Sequence, residues 1–446
     1  DDPLDQIVCD NSGTKPVNFT GTGTTYNWTN SNPAIGLAAS GSGDIPSFTA
    51  INTGTSPIIA TISVTPIAIG CAGTAQTFTI TVNPIPTVND PADQTACNNG
   101  ATTAISFTGA IPATSYFWTN DAPSIGLVAS GLGNIPSFTA INSGTSPVTA
   151  TITVTPIFNN CAGTPQTFTI TVYPRPTVTV PANAVVCNNS LTGILSFSGA
   201  VAGTTYNWTN NTPSIGLTAS GSGDIPAFTA INTGTTIVTA TVTVTPVANG
   251  CAGAPQTFTI TVNPTPLPPT NSAINITECE TNPIQTLNAN SVITSSVPVI
   301  WYTQATGGTV VASPTLNTTN TVTYFAEAVN STTNCSSLSR TAVTLTINPA
   351  PLSPTVSAAS ITECETSPVQ ALNANSVITS SVPVTWYTQA TGGTLVASPT
   401  LSSTGNVTYF AEAVNSTTNC SSLSRTAVTL TISPAPAAPA LSGSAV

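Results

Sequence analysis

The 446 residues carry 4 Lys and Arg against 15 Asp and Glu, a formal net charge of −11, and only 4% of the chain is charged. Without clustered cations to displace counterions from phosphate, nucleic-acid binding is excluded, and with no histidine at all, so are Ser-His-Asp and Cys-His nucleophiles and the commonest transition-metal ligand. No apolar run reaches the ~18 residues of a membrane-spanning helix, and with no Met at position 1 a mature or excised segment is expected, any signal peptide or sorting domain lying outside it.

Cysteine, tryptophan and cysteine recur in that order five times: Cys9, Trp28, Cys71; Cys97, Trp118, Cys161; Cys187, Trp208, Cys251; Cys279, Trp301, Cys335; and Cys364, Trp386, Cys420. The period of about 90 residues is that of a small domain and not of a solenoid repeat. The expected modules are therefore 1–86, 87–176, 177–266, 267–351 and 352–446, the last with a Pro/Ala-rich tail. A domain of this size buries a modest core. Five like-spaced cysteine pairs predict one disulfide within each module and an oxidising, extracytoplasmic location. Closing Cys9 onto Cys71 would stabilise by about 4 kcal/mol.

In module 1 the strand-like runs are Pro16 to Thr20, TYNWTN (Thr25 to Asn30), IGLAAS (Ile35 to Ser40), IPSFTAIN (Ile45 to Asn52), IIATISVTP (Ile58 to Pro66) and QTFTITV (Gln76 to Val82). Alternation puts Ile58, Ala60, Ile62 and Val64 on one face and Ile59, Thr61, Ser63 and Thr65 on the other; Phe78, Ile80 and Val82 oppose Thr77, Thr79 and Thr81. Turns such as Gly41-Ser42-Gly43-Asp44 separate the runs, so each module reads as six or seven antiparallel strands in two packed sheets. The expected fold is all-β: a tandem array of five Ig-like or PKD-like β-sandwiches. The second cysteine falls in the loop before the last strand, which predicts a peripheral staple from the N-terminal strand to the last hairpin. Trp28, Trp118, Trp208, Trp301 and Trp386 are read as core residues in preference to sugar-stacking platforms.

The last two modules use other letters for a similar plan. VPVIWYTQATGGTVVASPTL (Val297 to Leu316) reads as strand, Gly-Gly hairpin and strand; TVTYFAEAVN (Thr321 to Asn330) and TAVTLTI (Thr341 to Ile347) follow, and module 5 repeats them. Junctions beginning at Asn83, Tyr173, Asn263, Asn348 and Ser433 carry alternate prolines, which favour a stiff extended linker.

With WTN, PSIGL, GSGDIPSFTAIN (Gly41 to Asn52; GSGDIPAFTAIN at Gly221 to Asn232), TVTVTP, GCAG and FTITVNP, the first three modules resemble PKD-like domains of Bacteroidota cell-surface proteins. With WYTQATGG, TYFAEAVN and CSSLSRTAVTLTI (Cys335 to Ile347), the last two resemble the immunoglobulin-like domains found beside gliding-motility-type C-terminal domains in the same phylum. The resemblance implies a long, secreted, repeat-built adhesin or surface filament, exported by the type IX system and attached to the outer membrane. It supplies no catalytic residues, so a non-enzymatic extracellular protein at the cell surface is expected.

Glu278 and Glu280 flank Cys279, Glu363 and Glu365 flank Cys364, and each late module adds one strand glutamate (Glu327, Glu412) and one arginine (Arg340, Arg425). Such groups suit salt bridges or a solvated rim; Ca²⁺ stays open, but it wants six to eight oxygens and no DxDxDG-type loop is present. Asp1, Asp2 and Asp5 are further candidate ligands, while Asp44 and Asp224 suit a turn. No other cofactor is expected. Exposed sheet edges on a weakly charged surface point to self-association into fibres. The alternative is a carbohydrate-binding or accessory region of a polysaccharide-degrading enzyme, with a surface polysaccharide as partner and Tyr302 or Tyr387 as the stacking residue.

Overall fold

The run Ile58–Ala68 alternates apolar and polar side chains over eleven residues and forms the central strand of module 1. In the computed structural model, which describes residues 3–439, the strands of this module are β1 (Gln6–Cys9), β2 (Thr25–Asn30), β3 (Ser40–Ser42), β4 (Ile58–Ala68), β5 (Cys71–Ala72) and β6 (Gln76–Asn83). The sheet order is β1-β6-β4-β2-β3, with β5 folded back on the end of β4. Ala60, Ile62 and Val64 of β4 and Phe78, Ile80 and Val82 of β6 are buried on one face, as alternation predicts. Modules 2 and 3 repeat this sheet strand for strand.

Two features depart from the sequence reading. The first strand is parallel to the last, Gln6 facing Ile80 and Cys9 facing Asn83, where an antiparallel sheet was expected. The second layer is not a regular sheet. IPSFTAIN and the run before β2 meet only at isolated bridges, Gly13 with Thr49 and Val17 with Ile45. Pro46 has no N–H to give a ladder, which limits pairing there. Buried asparagines hold these loops instead. The Asn52 amide donates to the Ser56 and Val82 carbonyls at 2.9 and 2.7 Å while its oxygen accepts from Gly54 N, and Asn142 and Asn232 repeat the arrangement. Asp44, Asn134 and Asp224 each accept a backbone N–H, from Phe19, Phe107 and Phe197.

All five tryptophans are buried, at 4 to 7% exposure, which leaves none as a sugar platform. Trp28 pairs across the sheet with Gly41, and a Cβ on that glycine would overlap the indole ring; Gly131 and Gly221 lie in the same way under Trp118 and Trp208. Trp118 and Trp208 donate to the Gly133 and Gly223 carbonyls at 3.1 Å, and Trp301 and Trp386 to Asn290 and Asn375 at 2.8 Å.

The two late modules keep the parallel first-with-last pairing, Asn275–Cys279 beside Thr341–Asn348 and Ser360–Cys364 beside Thr426–Ser433. Their main sheets have five strands, and two-stranded ribbons complete the second layer. The Gly-Gly turn is as expected, with Gly307 and Gly308 at φ 63 and 75 between paired strands.

Candidate functional site at the module junctions

Parallel pairing of the first and last strands has a direct consequence for the cysteines. It carries Cys9 along the sheet to the trailing end of module 1, beside Asn83 where the chain leaves. Cys71 sits at the other end, paired with Ala68. The two are separated by the length of β4, about 33 Å at the usual strand rise. A disulfide needs Cα atoms within about 7 Å, so Cys9 and Cys71 cannot bond.

The expected intramodule disulfides are therefore replaced by bonds between neighbours: Cys9–Cys161, Cys97–Cys251, Cys187–Cys335 and Cys279–Cys420, with Cα separations of 5.4 to 5.6 Å. In each, the first-strand cysteine of one module reaches the second cysteine of the next. Cys71 and Cys364 are left as free thiols, both exposed. Eight of the ten cysteines thus bond, with partners shifted by one module from those expected.

Several side chains missed by the sequence reading complete the junctions. Asn159 donates to Asn83 across the first joint at 3.2 Å. Arg175, in the linker between modules 2 and 3, donates to the carbonyls of Asn98 in module 2 and Ala252 in module 3 at 2.8 and 2.6 Å. Gly163 and Gly253 follow Cys161 and Cys251 by two residues; a Cβ on either would overlap the carbonyl of Pro86 or Pro176 in the preceding linker. The linkers are also packed down, Val88 and Val178 being buried in the cores of modules 2 and 3. In the late modules the Thr341 and Thr426 hydroxyls donate to the Pro269 and Pro354 carbonyls. The repeated Cys-Ala-Gly was the available signal: its glycine serves contact with the linker and not the turn alone.

The acidic residues are engaged with the chain itself. Glu280 accepts from Ala350 N at 3.1 Å and Glu365 from Ala435 N at 3.4 Å, fastening the outgoing linkers. Glu278 and Glu363 accept from Gln285 and Gln370. Glu327 and Glu412 pair with Arg340 and Arg425 at 3.4 and 3.1 Å. Among the described residues no group of three or more Cys, Asp or Glu is placed to hold a metal ion; the candidate ligands Asp1 and Asp2 lie outside those residues. Asp5 accepts from Thr79 N, as Asp93 does from Thr169 N, and these bonds hold both carboxyls below the usual aspartate range.

One face of each of Tyr302 and Tyr387 is covered by an arginine. The Arg340 and Arg425 guanidinium groups lie 3.3 and 3.4 Å from their ring centroids. Each guanidinium is fixed further by two backbone carbonyls of the Gly-Gly turn region, Gln304 and Gly307 or Gln389 and Gly392. Burial, followed by the hydrogen bond and charge of Glu327, raises the Tyr302 phenol. This constellation locks a hairpin and takes up the ring face on which the arginine lies.

Residues 184–266 match the PKD-like domain family, and residues 266–349 and 351–434 each match the family of Ig-like domains described as CHU_C associated. No curated protein matches the chain. Among solved structures, similar chains include the protocadherin GammaB4 extracellular domain (12% identity over 98% of this chain and 83% of that one, TM-score 0.30). The human desmocollin-1 ectodomain (11%, 98% and 99%, TM-score 0.26) and the Sidekick-1 immunoglobulin domains 1–5 (14%, 97% and 98%, TM-score 0.22) are also similar. No helix among the described residues is long and apolar enough to cross a membrane. The chain is a tandem array of β-sandwich modules, in which the third is a PKD-like domain and the last two are CHU_C-associated Ig-like domains.

Proposed function

We propose that this chain is a non-enzymatic extracellular structural protein, a stalk segment of a bacterial surface adhesin or a subunit of an extracellular filament, whose work is to carry tension. The observation that carries this reading is the stagger of the disulfides. Each spans a junction, and successive ones overlap in sequence, so two interleaved covalent tracks run along the array. On one track, Cys161 and Cys187 are joined by strand Gln166–Tyr173, the linker and strand Ala184–Cys187, a route that is already extended. An oxidising compartment keeps such bonds closed, in keeping with secretion to the surface. Export by the type IX system and a place in gliding belong to the same proposal and rest on the domain types alone. The carbohydrate-binding alternative is the weaker one, since Arg340 and Arg425 each occupy one face of its candidate tyrosines.

Single-molecule pulling between the two ends tests the reading. The shortest bonded route runs from the N-terminus to Cys9, from Cys161 to Cys187, from Cys335 back to Cys279, and from Cys420 to the end. That is roughly 116 residues, or a limit of about 400 Å at ~3.5 Å per residue, against about 1,500 Å once reduced. Severing one bond with Cys187→Ser shifts the load to the other track, a detour of roughly ten residues, and lengthens the limit by only about 35 Å. Were Cys187 bonded within its own module, the same substitution would add about 220 Å. Gains of that size in the oxidised variant would defeat the two-track account.

A further inference from the structure

Modules 1 and 3 agree with each other and differ from module 2 along one edge of the main sheet. In module 2 that edge is the strand Ser130–Leu132, which pairs on one side only, with Ser115–Asn120. Phe117 faces Leu132 across this pair, where module 1 has Asn27 facing Ser42 and module 3 has Asn207 facing Ser222. Two residues beyond Leu132, Asn134 stands in the place of Asp44 and Asp224. All three of those side chains accept a backbone N–H, from Phe107, Phe19 and Phe197 at 2.8 to 2.9 Å, so the charge is not what this bond needs. Val128, just before the strand, replaces Ala38 and Thr218. Leu132 is 74% exposed, Val128 66% and Phe117 38%.

The backbone of the same strand is open. Ala129 O accepts from Asn120 N and Gly133 N donates to Tyr116 O, so the alternation of an antiparallel pair turns Gly131 inward as well. The N–H and C=O groups of Ser130 and Leu132 therefore point away from the sheet, and they have no backbone partner among the described residues. A charged side chain is a usual guard on such an edge against pairing with its like. Module 2 has lost the guard at the place where it has gained the apolar pair. Two copies carrying aspartate here would set like charges across a shared axis, whereas Asn134 does not repel its counterpart.

We propose that the Ser130–Leu132 edge of module 2 is a lateral contact between two copies of this chain. The two edge strands pair antiparallel about a two-fold axis at Gly131, each Ser130 exchanging backbone hydrogen bonds with Leu132 of the other copy. The main sheets then run on as one, and the two Phe117–Leu132 pairs meet diagonally at its middle. Leu132, Val128 and Phe117 together expose roughly 350 Å² per copy, the size of patch that marks an interaction site. With the edge backbone this gives a contact at the low end of specific interfaces, so the dimer is weak and depends on concentration. The inference rests on the filament form of the proposed function and names its lateral contact.

The test is sedimentation equilibrium of the oxidised chain, with the thiols of Cys71 and Cys364 alkylated, from about 5 to about 500 μM, the range in which weak contacts form. The expected result is an average mass that climbs from 44.7 kDa toward twice that value, with slower hydrogen exchange at the Leu132 amide as concentration rises. Leu132→Ser and Asn134→Asp give module 2 the residues that modules 1 and 3 carry at these positions, so the fold is kept. Each should weaken the dimer roughly tenfold or more. The proposal is overturned by a chain that stays monomeric throughout, by association that neither variant changes, or by exchange protection at another surface and not at this edge. A monomer that instead takes up an added strand-forming peptide along Ser130–Leu132 would overturn the second copy as occupant. In each of these cases the tension-bearing reading stands, because it concerns a single chain. Disulfides closed within modules would remove that reading and leave the sedimentation result as it is.

Discussion

Modules 1 to 3 and modules 4 and 5 solve the same joining problem with different local structure. In the first type the receiving cysteine lies on a two-residue strand folded back on the long central strand, as at Cys161–Ala162. In the second it lies in a turn after the penultimate strand, where Asn330 caps Thr332 and Thr333 and Val329 bridges Ser336. Both place that cysteine at the leading end of the module. Both also send the donating cysteine to the trailing end through a first strand parallel to the last. What is held constant is the position of each thiol at a pole of the sandwich, and this lets Cys187 of one type meet Cys335 of the other.

The comparison can be broken most severely in the cores. Trp208→Ala removes a side chain packed over Gly221 and should destabilise module 3 by about 3–5 kcal/mol, read by denaturant unfolding. Trp301→Ala should cost a similar amount despite the smaller buried cluster around it. A loss below about 1 kcal/mol at either site would contradict the core assignment.

A smaller effect separates covered hairpins from the uncovered one. Gly253→Ala pushes a methyl into the Pro176 carbonyl and should cost about 1–3 kcal/mol and slow closure of Cys97–Cys251. Gly73→Ala, with no linker above it in the monomer, should leave both unchanged. Equal effects at the two glycines would show that the turn, and not the linker, demands glycine.

The hairpin lock is peculiar to the late modules. Arg340→Ala loses the stack on Tyr302, the Glu327 ion pair and two carbonyl contacts, and should cost about 2 kcal/mol. Arg340→Lys should recover only part, because an ammonium cannot lie flat on the ring.

The smallest effect concerns acid. Asp5 and Asp93 have depressed pKa values, so the stabilisation they give is complete above the unfolded aspartate value and is lost as pH falls through the folded one. Module 3 has Asn183 at this position, accepting from Thr259 N at 2.8 Å without a charge. Asp93→Asn should therefore slightly lower stability at neutral pH, by the part that depends on the charge, and flatten its decline below about pH 4, measured by melting temperature against pH.

Much of this was legible in the chain. Alternation in Ile58–Ala68 and Gln76–Asn83 fixed which residues face inward, because a strand's period of two leaves one consistent core face. The tryptophans declared themselves by size within such runs. The disulfide partners did not. Spacing along the sequence is the same whether a bond closes within a module or across a junction, and the deciding fact is the direction of β1 beside β6. Four residues, QIVC, pair equally well either way until the chain before and after them is placed. The loops of IPSFTAIN were missed for a related reason: their order comes from buried Asn52, Asn142 and Asn232 side chains, which leave no periodic trace.

The most direct measurement is proteolysis of the unreduced, thiol-blocked protein followed by mass spectrometry of the linked peptides. The account predicts Cys9–Cys161, Cys97–Cys251, Cys187–Cys335 and Cys279–Cys420. Recovery of Cys9 linked to Cys71, or Cys97 to Cys161, would contradict it.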